Sequence, residues 1–226
     1  MPSRLLSFVV PATCWVCGGP APDAAPLCAG CRRALPWLPA GCCPRCALPA
    51  HGRGGCPAER LAFDAAVSVV AYEGAASSVV RAVKDRGGLA LVPMMGAQLV
   101  AALPADLLRG ARVVPVPPHP LRGRLRGFDA AGLLAAELAT RTGRPLDADL
   151  LRRRGGWWRR QRGATRAERL ATGRLVVEVR RPIPPPAVAA LVDDVHTTGA
   201  TLHACALALR AAGCERVVAV TWARAL

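Results

Sequence analysis

Short runs rich in β-branched residues recur along the chain: AVSVVAY (66–72), ARVVPVP (111–117), LVVEV (175–179), AVAALVD (187–193) and RVVAVTW (216–222). Between them lie segments whose apolar residues fall at helical spacing, which predicts helices over 77–85, 91–103, 129–141 and 201–213, the last closed by Gly213. Strands that alternate with helices leave few architectures open. The expectation is an α/β fold with a mostly parallel sheet and helices on both faces. Ligands of such sheets bind beyond the carboxyl ends of the strands. Hydrophobic residues make up 52% of the 226, enough for a core, and aromatics only 4%, so that core is built from Ala, Val and Leu.

The first sixty residues break this pattern. Eight of the ten cysteines fall between Cys14 and Cys56, among many Pro and Gly and with little apolar periodicity. Cys14-Trp-Val-Cys17 and Cys28-Ala-Gly-Cys31 are two knuckles, ten residues apart. Four thiolates so spaced suit a closed, tetrahedral Zn²⁺ site that holds together a segment too small to fold alone. Cys43-Pro-Arg-Cys46 is a third knuckle and Cys56 starts a fourth, whose partner position holds Glu59. Either Cys42, His51 or Glu59 completes that second zinc set or the site is lost, and the carboxylate at 59 favours a lost or weakened site. Cys205 and Cys214 stand apart in an Ala-rich helical stretch and read as buried thiols. The chain therefore divides into a cysteine-rich module, 1–60, and a larger domain, 61–226.

The formal charge is +15, carried by arginine with one lysine, Lys84. Arginine forks suit phosphate, so an anionic partner is expected, a phosphorylated metabolite or nucleic acid. No apolar run approaches the roughly 20 residues that span a bilayer, and the apolar stretch 5–10 is shorter than a signal-peptide core. A cytoplasmic protein with reduced cysteines is the expectation.

Against this charge, LVDDVHTTGATL (191–202) places two acids, Asp193 and Asp194, at a strand end. Gly199 permits a sharp turn, and the helix after it aims amide donors and its positive end back into the loop. Hydroxyls of Thr197, Thr198 and Thr201 add donors. One end of such a loop attracts a phosphate, and the other offers two acceptors for a vicinal diol. Together these describe a ribose 5-phosphate. The alternative, an acid pair binding Mg²⁺ as in a nucleotide hydrolase, lacks a GxxxxGK[ST] loop here.

The string closely resembles the phosphoribosyl pyrophosphate (PRPP) motif of type I phosphoribosyltransferases. With the cysteine pairs and VVPVPPHPLRGRLRGFD (113–129), the whole chain resembles the ComF family, competence-associated phosphoribosyltransferase-like proteins with a zinc-ribbon N-terminus. The resemblance implies a type I phosphoribosyltransferase-like fold. It also implies a PRPP or ribose 5-phosphate site formed by Asp193, Asp194, Val195, His196, Thr197, Thr198, Gly199, Ala200 and Thr201, with Pro117 and Pro118 in a pyrophosphate loop. Arg126 and Lys84 join the two aspartates as catalytic candidates, and Mg²⁺ arrives with PRPP. The family's R-G-F-N-Q reads Arg126-Gly127-Phe128-Asp129-Ala130 here, a departure on the acceptor side. The basic stretch 152–172 lies where such enzymes carry a mobile hood, with Gln161 and Arg169 at matching positions.

Two functions follow. One is phosphoribosyl transfer to an acceptor that the sequence does not name. The other is a non-catalytic adaptor linked to DNA uptake, binding single-stranded DNA or competence-machinery proteins, with Trp157 and Trp158 stacking on bases.

Overall fold

The computed structural model describes residues 13–51, 55–118, 127–153, 176–180 and 183–226. Arg126, His119, Trp157, Trp158, Gln161 and Arg169 lie outside these, with most of the stretch 152–172.

The fold is α/β. Strands β1 (Ala65–Ala71), β2 (Ala111–Pro115), β5 (Val188–His196) and β6 (Arg216–Arg224) form a four-stranded sheet in the order β1-β6-β5-β2, each adjacent pair parallel. Helices α2 (Gly74–Arg86), α3 (Val92–Ala102) and α4 (Ala130–Thr142) connect its first half, and α5 (Ala200–Ala211) connects β5 to β6. A small antiparallel pair, β3 (Leu151–Arg153) with β4 (Val177–Val179), stands beside the sheet. The expected elements are present to within a few residues, except that β5 runs on through His196 instead of ending at the aspartates.

Alternate residues of the central strands feed two cores, as expected for a sheet covered on both faces. One holds Val70, Val192, Val220 and Trp222 against α2, α3 and α4. The other holds Leu191, Ala219 and Val217 against α5. Trp222 is fully buried, and its indole N–H donates to Gln98 Oε1 at 2.7 Å, which satisfies the one polar atom of the largest core side chain.

The cysteine module straddles the sheet edge. Cys14, Leu27 and Leu35 pack into the first core, whereas Cys46, Ala47 and Ala58 pack into the second. Between them the chain crosses the outer edge of β1. Ala71 N donates to Pro36 O at 2.8 Å, Leu38 N to Val69 O at 3.0 Å and Ala66 N to Pro44 O at 2.8 Å. A segment with little periodicity of its own is thus completed by the larger domain's apolar faces and by backbone pairing.

Candidate metal centres and ligand cavity

Helix α1 (Ala29–Arg33) begins at Cys28, whose Sγ accepts from Cys31 N at 3.4 Å, and the sulfurs of Cys17 and Cys28 stand 3.8 Å apart. A tetrahedron with Zn–S bonds of about 2.3 Å has edges of about 3.8 Å. The ligand atoms of Cys14, Cys17, Cys28 and Cys31 all lie within 4.8 Å of one another. Crowding separates their titrations. Burial pushes the Cys14 thiol up, but amide hydrogen bonds from Cys17, Cys28 and Val16 outweigh it and bring the thiol down to about 6. Cys31 is pushed well up by burial and by the neighbouring thiols. Four sulfurs this close ionise together only around a cation, so the donor set fits Zn²⁺.

The second group corrects the expectation of a lost site. Cys43, Cys46, His51 and Cys56 converge within the same 4.8 Å. The Cys43 and Cys56 sulfurs are 3.9 Å apart, and Cys46 Sγ lies 3.0 Å from His51 Nε2. His51, five residues beyond the knuckle, supplies the fourth ligand in place of Glu59. Cys42 is not a ligand, because its thiol donates to Pro39 O at 3.3 Å. Ala47 takes a left-handed φ of 59° as the chain leaves the knuckle, and its N–H closes the turn on Cys43 O at 2.8 Å.

These are two zinc ribbons. Residues 5–60 match the double zinc ribbon domain family. No curated protein matches the chain. One ligand set is therefore four cysteines and the other three cysteines with a histidine. Each set supplies four protein ligands, the closed coordination typical of structural zinc, with no position left for a substrate. Cys205 and Cys214 are buried free thiols that belong to neither ligand group, and burial pushes Cys205 up to about 12.

The carboxyl ends of β2 and β5 border a cavity of about 440 Å³. Its position follows from a mismatch in pairing. β2 ends at Pro115, opposite Val192, whereas β6 accompanies β5 to His196, opposite Arg224. Among the described residues no strand pairs with β5 beyond Val192 on the β2 side, and the adjacent Asp193 and Asp194 both border the same opening. Asp193 and Asp194 line it together with Val195, Thr197 and Thr201, and with Pro117 and Pro118 from the turn after β2. His196, Thr198, Gly199 and Ala200 do not line it.

Asp194 is buried and its Oδ2 meets Lys84 Nζ, from α2, at 2.8 Å. Asp193 Oδ1 accepts from Asp194 N at 2.9 Å. Although one edge of the residue reaches the surface, burial and then the charge of Asp194 push the Asp193 carboxyl up to about 8. Two cavity residues have roles that the sequence left undefined. Asp129 caps α4, with Oδ1 accepting from Ala131 N at 3.2 Å, and its carboxyl is raised by burial against the lowering effect of the Gly132 and Ala131 amides. Arg153, at the end of β3, donates from Nε to Pro117 O at 2.7 Å. The cavity thus gathers three carboxylates, one lysine and one arginine.

Behind the threonine loop the packing is dense. Gly199 has φ +77°, and a Cβ there would stand 2.7 Å from Leu61 Cδ1 and 3.0 Å from His196 Nε2. His196 is buried, its ring meets Phe63 edge-on with centroids 5.7 Å apart, and burial followed by the nearby Arg224 brings it down to about 4, so the imidazole is neutral. No membrane-spanning helix occurs among the described residues.

Proposed function

We propose that the chain is a ComF-like member of the type I phosphoribosyltransferases that binds PRPP or ribose 5-phosphate in the cavity at the end of β5. The observation that carries this reading is the presence, around one 440 Å³ opening, of two adjacent carboxylates and the hydroxyl-bearing start of a helix. Asp193 and Asp194 accept hydrogen bonds from the ribose hydroxyls. Thr197, Thr201 and the first-turn amides of α5 bind the 5-phosphate, as an N-terminal helix end binds anions. Lys84 holds Asp194 in place, and Arg153 with the turn at Pro117 and Pro118 faces the pyrophosphate. Charge that grows on departing pyrophosphate is stabilised by these fixed donors. Mg²⁺ supplied with PRPP would neutralise part of that charge. Among the described residues only the two cysteine-based groups bring three or more ligand atoms together, so the cavity has no closed cation cage of its own.

Titration calorimetry with PRPP and Mg²⁺, repeated on Asp193→Asn/Asp194→Asn, tests the proposal. Binding that the double variant loses is the expected result; a wild type that takes neither PRPP nor ribose 5-phosphate overturns it. Release of pyrophosphate in the presence of a base would identify transfer.

A second reading, a competence adaptor that binds single-stranded DNA, draws on the +15 charge and on the two ribbons. It expects DNA affinity that falls steeply with salt and persists in the same double variant.

A further inference from the structure

We propose that Arg224 is a positioning residue that couples the His51-containing metal centre to the threonine loop, so that filling this centre sets the loop conformation that receives a phosphoryl group. The ligand named here rests on the ribose-phosphate reading; the coupling does not.

Arg224 is the last residue of β6 and only 5% exposed. Its Nε donates to the carbonyl of Cys46 at 2.8 Å, and its Nη1 donates to the carbonyls of His196 at 2.9 Å and Thr197 at 2.7 Å. A guanidinium holds its donors in one rigid plane, so the acceptors on either side are kept at a fixed separation. One side is the backbone of a metal ligand. The other is the backbone that enters the loop. In a trans peptide the C=O and the following N–H point in opposite directions. Anchoring the carbonyls of His196 and Thr197 on Arg224 therefore turns the N–H groups of Thr197 and Thr198 away from it.

Two further contacts run along the same path. Arg45, inside the Cys43–Cys46 knuckle, donates to the carbonyls of Leu61 (2.8 Å) and Phe63. Phe63 packs on His196, and Leu61 backs Gly199. Electrostatics favour the arrangement as well. Three thiolates against one divalent ion leave the filled centre with a net negative charge beside a buried cation. The four-cysteine centre is placed differently: Cys14, Cys28 and Cys31 belong to the core on the opposite side of the sheet, and the arginine that bonds its first knuckle, Arg86 to Trp15 O at 2.5 Å, lies on α2 and not at the threonine loop.

The test compares full-length wild type with His51→Ala, Arg224→Lys and, as control, Cys17→Ser. Each is assayed for zinc content, amide exchange of the 196–202 segment and affinity for ribose 5-phosphate. His51→Ala, a change at an exposed side chain, is expected to lose one zinc and to speed exchange in the loop by about tenfold or more. Cys17→Ser is expected to lose one zinc and leave loop exchange unchanged. Arg224→Lys is expected to keep both zinc ions and still loosen the loop. By reciprocity, ribose 5-phosphate raises the zinc affinity of the His51-containing centre, read at equilibrium against a competing chelator, and not that of the other. Unchanged loop exchange in His51→Ala, or equal loosening in Cys17→Ser, overturns the coupling. Loosening in a protein whose wild type ignores ribose 5-phosphate leaves the coupling standing and removes the ligand assignment instead.

Discussion

Lys84 Nζ stands 2.8 Å from Asp194 Oδ2, and the aspartate side chain is only 8% exposed. The lysine named as a catalytic candidate is thus the counter-ion of a buried ligand-loop acid. Lys84→Met strands that charge. Removing one partner of a buried pair costs several kcal/mol, but Lys84 is 31% exposed, so water screens part of the loss and about 1–3 kcal/mol is expected. Urea unfolding measures it, and Lys84→Met/Asp194→Asn should recover most of the loss.

Asp193 carries a pH signature. Its folded value of about 8 exceeds the ordinary carboxyl value of about 4, so between these limits the folded state holds a proton that the unfolded state has released. Stability therefore falls as pH rises through that window, by at most about 1.4 kcal/mol per pH unit. Asp193→Asn should flatten the pH dependence of the melting temperature and be the more stable protein at pH 8. A parallel pH profile for the two would count against a buried Asp193.

Gly199→Ala meets two costs. A left-handed φ of 77° costs a non-glycine residue roughly 1–2 kcal/mol, and the new methyl meets Leu61 and His196. Leu61→Ala in the same chain should relieve the closer of the two contacts and leave the His196 contact and the backbone cost. The expected order of melting temperatures is wild type, then Gly199→Ala with Leu61→Ala corrected for Leu61→Ala alone, then Gly199→Ala.

Zinc content gives a direct count. Two equivalents per chain are expected from the two ligand groups. His51→Cys should retain both, because thiolate and imidazole are both ordinary ligands of tetrahedral Zn²⁺, whereas His51→Leu should retain one. Two equivalents in His51→Leu would remove His51 from the ligand set.

Much of the fold was legible because its strands are dense in Val and Ala and its helices carry apolar residues at regular spacing. What escaped depends on contacts between distant segments. The end of β5 is set by where β2 leaves and β6 stays, and nothing in residues 191–202 records that. His51 carries only a weak signal as a ligand, since its distance from Cys46 follows no knuckle spacing. Asp129 read only as a departure from a family pattern; its place at the start of α4, beside a cavity, needed the neighbouring strand. Arg224 carried no signal, being one arginine among many at the end of an apolar strand. The cysteine pairs, by contrast, carry their ligand chemistry in the local spacing, and the DDxxTTGxT string brings Asp193, Asp194, Thr197 and Thr201 to one cavity.

The segment from Pro36 to Pro44 lies along the outer edge of β1 and is tethered at each end by a zinc ribbon. Bare strand edges recruit one another. Metal starvation would thus do more than loosen a small module. By releasing the strap it would uncover a ladder of unpaired amides and carbonyls, and chains deprived of zinc would clump edge to edge before their cores had melted.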